Sequence, residues 1–280
     1  MSDADPGPDL PDRLGAYLVE GCIGRGAASW LLRGRDTASG ATVAIKVLPL
    51  DAGNRAGTEE LRRRFAREAQ AVQRLAHPGI VRFLGSGQDG RLAWVAMEYA
   101  PGHDLSRHVA AGALLAWPAV RDIGAQLAEA LAHAHRQGVV HRDLKPANVI
   151  YDPASGRARL ADFGIARIAD ASRTRTGVVL GTPAYMAPEQ IAGLSVDGRA
   201  DLYALGVLLF ELLCGRLPFE GPTLGVLMQR IAREPAPDLR QLRPGLPESL
   251  AAVVAQALAK PAADRPADGD AMARALRAIG

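Results

Sequence analysis

The sequence predicts an α+β chain in two unequal parts, on three observations. Strand-like, β-branched segments crowd the stretch before Glu98. A single helix-patterned segment, following Thr58, interrupts them. From Leu105 onward the pattern turns helical. A length of 280 residues suits one large domain or two small lobes. With 48% apolar and 22% charged residues the chain can bury a core. A net charge of +3 is too small a field to argue for nucleic acid, and 5% aromatics supply few stacking platforms. Cys22 and Cys214 lie far apart, with no Cys/His spacing suited to zinc, which points to a reducing, cytoplasmic setting. The acidic, Pro-rich start through residue 13 lacks the features of a signal peptide and is expected to be a disordered lead. The longest apolar run, Leu202 to Cys214, is broken by Glu211 and too short to span a bilayer, so no membrane segment is expected in this chain.

Taken in order, Leu14 to Gly21 opens a strand. Gly24 and Gly26 come next, two apart, in Ile23-Gly24-Arg25-Gly26-Ala27-Ala28-Ser29-Trp30-Leu31. Glycines so placed let backbone N–H groups approach a phosphate, although G-x-G alone is more often a hairpin turn. No helix follows at once, which argues against a Rossmann or Walker A loop. Thr42 to Leu48 is a strand whose alternation puts Ala44, Lys46 and Leu48 on one face. A lysine there wants a partner or a ligand, unless it snorkels from an edge. In the next helix Thr58 is the expected N-cap, ahead of Glu59 and Glu60. Its apolar stripe runs Leu61, Phe65, Val72, Leu75, with Glu68 in the gap. A carboxylate on a buried stripe should be paired, and Lys46 would satisfy it. Arg62, Arg63, Arg64 and Arg67 form a solvated face or a phosphate sensor. His77-Pro78 closes the helix; Ile80 to Leu84 and Leu92 to Met97 read as strands; Glu98 to Gly102 suits a link.

In the second part, Trp117 to Gln137 is helical by Val120, Ile123, Leu127, Leu131 and Ala134, with Gly138 as a stop. His133 and His135, two apart, do not share a face and make poor joint metal ligands. Then comes Val139 to Tyr151, VVHRDLKPANVIY. Asp143 can take a proton from a hydroxyl, Lys145 can hold passing negative charge, and Asn148 can offer an oxygen to a hard cation. Acid, cation and amide this close are what phosphoryl transfer to a hydroxyl needs. A turn over residues 152–156 and a strand from Ala158 to Ala161 should return Asp162-Phe163-Gly164 beside Asn148. Asp162 and Asn148 could then share a divalent cation. Residues 165–180 are polar and lead to Gly181-Thr182-Pro183-Ala184-Tyr185-Met186-Ala187-Pro188-Glu189. Asp201 stands at the head of the apolar helix, and Arg265 lies in Ala263-Asp264-Arg265-Pro266.

HRDLKPAN, DFG and GTPAYMAPE, preceded in order by the glycine loop, Lys46 and Glu68, resemble bacterial serine/threonine protein kinases of the eukaryotic-like, Hanks type. The resemblance covers residues 14–278. It implies a bilobal fold: a small β-sheet N-lobe with one main helix over about residues 14–97, a hinge at 98–104, and a mainly helical C-lobe over about 105–278. It implies Mg-ATP, or Mn-ATP, bound between the lobes, and protein serines or threonines as acceptors. Lys46, held by Glu68, would orient the phosphates; Asp143 would be the base, Lys145 would stabilise the moving phosphoryl group, and Asn148 and Asp162 would hold metal. Ile23, Gly24, Gly26, Leu31, Ala44, Met97, Asp104 and Ile150 would line the nucleotide, with backbone contacts from Glu98 and Ala100. The third glycine of the family pattern is Ser29 here, and Leu31 takes its valine position. Thr174 or Thr176, in Thr-Arg-Thr, would be a regulatory phosphorylation site read by Arg142 or Arg167. Thr182, Glu189, Asp201 and Arg265 would be structural anchors. An N-lobe homodimer is a further implication. A pseudokinase and a small-molecule phosphotransferase are the alternatives; the first is disfavoured by the full set of Lys46, Asp143, Asn148 and Asp162, the second by GTPAYMAPE.

Overall fold

The computed structural model describes residues 11–26, 29–50, 55–110, 112–163 and 183–280. The chain divides into two compact units: one holds the chain up to Gln73 and Arg82–Tyr99, the other Arg74–Val81 and most of the chain from Ala100 onward.

The first unit is a six-stranded antiparallel sheet. Its strands are β1 (Arg13–Leu14), β2 (Tyr17–Arg25), β3 (Trp30–Asp36), β4 (Thr42–Pro49), β5 (Phe83–Asp89) and β6 (Leu92–Glu98), ordered β1-β2-β3-β4-β6-β5. One face is closed by Leu14, Tyr17, Leu32, Val43, Ile45, Val47, Trp94 and Ala96. Tyr17 meets Trp94 edge-on, ring centroids 5.7 Å apart, as the quadrupoles of two aromatic rings prefer. β4 and β6 place Ala44 opposite Met97 and Lys46 opposite Val95. Helix α1 runs Arg55–Val72, so Thr58 lies inside it and is not its N-cap. The propensity of Arg-Ala-Gly-Thr-Glu-Glu does not by itself mark where the helix starts. The strand expected from Ile80 is also shorter: β5 begins at Phe83. Ile80 instead bridges Leu160 in parallel; Val81 N–H donates to Leu160 O, and Leu160 N–H to Gly79 O, both at 2.8 Å. This splits an apolar run that reads as continuous in sequence.

The second unit is built on two helices, α2 (Trp117–Arg136) and, beyond the short α3 (Pro188–Ile191), α4 (Arg199–Cys214). Val120, Ile123, Leu127, Leu131 and Ala134 are all buried, as their spacing requires. α4 is buried on every side from Ala200 to Leu213 and stops at Gly215, whose φ of +70° suits a residue without a Cβ. Among the described residues four more helices, α5 (Leu224–Arg233), α6 (Leu239–Leu242), α7 (Glu248–Ala257) and α8 (Gly269–Arg277), belong to the unit. α8 lies along α2, close enough that a Cβ on Gly269 would fall 2.3 Å from Ala128 O. A small antiparallel sheet, β7 (His103–Asp104), β8 (Val149–Asp152) and β9 (Arg157–Leu160), flanks α2. Gly102 leads into it at φ +105°, with Tyr151 O where a side chain would stand, so the link can only enter β7 through glycine.

Candidate active site

The loop between α2 and β8 is shaped by one carboxylate. Asp201, on the first turn of α4, is 1% exposed. Its Oδ2 accepts from His141 N–H and Oδ1 from Arg142 N–H, both at 2.8 Å. His135 Nε2 lies 2.8 Å from Oδ2 as well and must carry its proton there. Arg142 sits at φ +63°, a left-handed backbone that non-glycine residues seldom adopt; the bond to Asp201 holds it there. His141 is fully buried. Asp143 N–H donates to its Nδ1 at 3.3 Å, so Nε2 carries the ring hydrogen and donates to Ala161 O at 3.0 Å. The same ring packs on Phe163 at 4.7 Å between centroids. One imidazole therefore links the loop to the residues on either side of Asp162.

Asp143 emerges from this frame half-buried. Its Oδ2 receives Lys145 Nζ and Asn148 Nδ2, each at 2.9 Å, while Nδ2 also donates to Asp143 O at 2.7 Å. No described residue donates to Oδ1. Among the described residues the carboxylate is fixed through one oxygen only, which leaves the other for a hydroxyl, as a base requires. With Nδ2 spent on Asp143, the Oδ1 of Asn148 is left for a hard cation. Ala161 N–H donates to Asn148 O at 2.9 Å, which sets Asp162 one residue beyond; Asp162 has φ +59°. An amide oxygen and a carboxylate are oxygen donors of the kind Mg²⁺ takes, so these residues fit that ion. Arg142 and Asp162 are the described non-glycine residues with positive φ, and both border Asp143 or Asn148. Asp104 and Ile150 are register partners in β7 and β8. Asp104 Oδ1 also caps the following 3₁₀ turn through Ser106 N–H at 3.0 Å.

In the first unit Ile23 and Leu31 lie on β2 and β3 next to the glycine hairpin, where Gly24 pairs with Leu31 and Gly26 N–H donates to Ser29 O. Lys46 is buried on β4. Glu68 departs from expectation: it is 31% exposed and held by Arg64 at 3.3 Å, one turn away on α1. Its place in the stripe is taken by Ala69, buried beside Leu61, Phe65 and Val72. Glu98 N–H donates to Arg82 O and its carboxylate accepts from Arg82 N–H, both at 2.9 Å, which anchors the end of β6. Met97 and Ala100 are half-buried. Arg167, Thr174, Thr176 and Thr182 lie outside the described residues.

Glu189 and Arg265 make a two-pronged ion pair at 2.7 and 2.8 Å, with the arginine side chain fully enclosed and its remaining donors on Arg199 O, Ala259 O and Lys260 O. Sequence reasoning did not assign His135, Gln190 or Tyr185 a role. Gln190 accepts from Ala187 N–H and reaches back to Arg142 O at 3.4 Å. Tyr185 donates a short hydrogen bond to Glu211; burial raises the pKa of both groups. These contacts join residues 26 to 66 positions apart, with no local pattern to reveal them. Among the described residues no three His, Cys, Asp or Glu side chains cluster as a metal site, and no helix is long and apolar enough to cross a membrane.

The protein kinase domain family model matches residues 17–275, and the chain belongs to that family. It is 38% identical to the serine/threonine-protein kinase pkn3 of Myxococcus xanthus, over 97% of this chain and 52% of that protein. To PkaA of Streptomyces coelicolor it is 41% identical, over 94% and 50%. To PknL of Mycobacterium tuberculosis it is 39% identical, over 94% and 65%. The chain thus spans about half the length of the first two of these curated relatives. A crystal structure of Rad53 residues 1–466 in complex with AMP-PNP matches with a TM-score of 0.76 at 27% identity, covering 92% of this chain and 64% of that one. The fold is the protein kinase fold.

Proposed function

We propose that this chain is a serine/threonine protein kinase domain that transfers the γ-phosphoryl group of ATP to serine and threonine hydroxyls of proteins. The observation that carries the reading is the geometry of Asp143: one carboxylate oxygen is held by Lys145 and Asn148, and the other takes no hydrogen bond from a described residue. Asp143 takes the proton of the acceptor hydroxyl as oxygen attacks phosphorus. Lys145 steadies negative charge on the group in transfer. Lys46 holds the ATP phosphates, with Glu68 its proposed partner. A divalent cation on Asn148 and Asp162, Mg²⁺ with Mn²⁺ able to replace it, would neutralise charge on the triphosphate. Ile23, Gly24, Gly26, Leu31, Ala44, Met97, Glu98, Ala100, Asp104 and Ile150 surround the nucleotide. Catalysis is then mainly positioning and electrostatics.

Thr174 and Thr176 are the proposed regulatory acceptors, and Arg142 the group that senses their phosphate. Arg142 is exposed, and its backbone already leans on Asp201, so charge arriving at its guanidinium would bear directly on the loop. The kinase names of the relatives support the reading, as does the match to an AMP-PNP complex. A cytoplasmic location and pairing through the sheet unit are part of the same proposal. Incubation with Mg-ATP followed by phosphosite mapping tests it: phosphate is expected on Thr174 or Thr176. Phosphate transferred only to small molecules, with none on protein, would overturn it in favour of a small-molecule phosphotransferase.

A further inference from the structure

The backbone polar groups of Arg142 and Asp143 are all held. Arg142 N–H donates to Asp201 Oδ1 at 2.8 Å, and Asp143 N–H to His141 Nδ1 at 3.3 Å. Asp143 O accepts from Asn148 Nδ2 at 2.7 Å. The remaining group, Arg142 O, accepts from Gln190 Nε2 in the longest of these bonds, at 3.4 Å. Three of the partners belong to the loop or to its anchor Asp201. Gln190 comes from α3, 48 residues further along the chain.

Arg142 O and Asp143 N–H lie on one planar peptide. With one end held at His141 and the other at Gln190, that plane cannot turn, and its setting fixes the direction in which Asp143 leaves the backbone. The hold matters because Arg142, at φ +63°, has a backbone conformation that persists only where its surroundings impose it.

Gln190 has a firm base for this. It is half-buried in the first turn of α3, and its neighbour Glu189 is clamped by Arg265 at 2.7 and 2.8 Å. Its Oε1 accepts from Ala187 N–H at 2.9 Å and so caps the start of the helix. That bond fixes which end of the amide is oxygen, so Nε2 is the end that faces Arg142 O. Capping alone would be served as well by glutamate, the other residue that reaches back in this way from the third helical position. A glutamate there would turn a second acceptor toward the Arg142 carbonyl. The amide is what the second bond requires.

We propose that Gln190 is a positioning residue for phosphoryl transfer: through the Arg142 carbonyl it sets the peptide that carries Asp143, and it ties that base to the Glu189–Arg265 anchor. Gln190 acts through this peptide and not on the reacting atoms. The consequence for rate rests on the kinase reading; the hold on the backbone rests on geometry alone.

Gln190→Glu separates the two bonds, since it keeps an acceptor for Ala187 N–H and removes the donor to Arg142 O. Gln190→Met removes both. The full chain and the two variants are compared in melting temperature, in hydrogen exchange at the Arg142 and Asp143 amides, and in kcat and KM for Mg-ATP. Gln190→Glu is expected to melt like the unaltered chain and to exchange the Asp143 amide at least about threefold faster. Its kcat should fall about tenfold with KM for ATP unchanged, as when a base is displaced and binding is not. Gln190→Met should lose kcat to the same extent and, without the cap, also melt lower. Unchanged exchange in Gln190→Glu overturns the hold. A kcat that stays near that of the unaltered chain, or that falls only together with the melting temperature, overturns the positioning role. No transfer by the unaltered chain overturns the kinase reading and the positioning role with it, while the exchange result still decides whether Gln190 holds the peptide.

Discussion

At the scale of the residue, a carboxylate buried as deeply as Asp201 needs donors on both oxygens, and it has three. Asp201→Asn keeps the size but turns one oxygen into a donor that faces another N–H. The variant should lose about 2–4 kcal/mol of stability by denaturant titration. It should also lose about 100-fold in turnover, because the Arg142 backbone is no longer held. Asp143, Lys145 and Asn148 were legible in sequence because they lie within one loop and their chemistry is complementary. The His135–Asp201 contact was not: Asp201 stood out as an anchor at the head of its helix, but 66 residues separate it from His135 and nothing local marks that histidine as its partner. Glu68 shows the opposite failure. A gap in an apolar stripe suggested burial, yet an arginine one turn away holds the carboxylate near solvent. Lys260 makes a testable pH statement. Its pKa falls from 10.5 unfolded to about 8 folded, so between those values the unfolded chain binds more protons and stability rises with pH. That contribution is present above the unfolded pKa and lost as pH falls through about 8. Lys260→Met should flatten the rise when chemical denaturation is compared at pH 8 and pH 10.

At the scale of the element, long periodic segments declared themselves and their borders did not. α2 was readable because its buried positions recur with helical spacing over twenty residues. α4 was readable as a buried helix because its apolar residues leave no polar face, and all residues from Ala200 to Leu213 are buried. The start of α1 was misplaced because Thr58 looks like a cap while the helix has already begun at Arg55. The segment at Ile80 was misplaced because its partner is Leu160 and not the strand next in sequence. Between elements, the Glu189–Arg265 pair ties α3 to the turn before α8. Arg265 has no exposed side-chain surface and spends its donors on Glu189 and three carbonyls. Arg265→Ala leaves Glu189 without its partner and should cost about 3–5 kcal/mol, read as a lower denaturation midpoint.

At the scale of the whole molecule, the order of the motifs along the chain was enough to name the family, and its model spans residues 17–275. The sequence could not supply the route by which distant polar groups build the loop: Asp201 from α4 and Gln190 from α3 bond residues 141–142, and His135 from α2 bonds Asp201 in turn. Each is a single polar residue whose partner is chosen by the fold. The central claim is that Asp143 serves as the base for phosphoryl transfer to protein hydroxyls. Its most direct test is radiolabel transfer from Mg-ATP to serine- and threonine-containing protein, by the unaltered chain and by Asp143→Asn. The unaltered chain should label serine or threonine. The variant should melt at a similar temperature and transfer at least about 100-fold more slowly. A variant that keeps near-normal turnover would contradict the account.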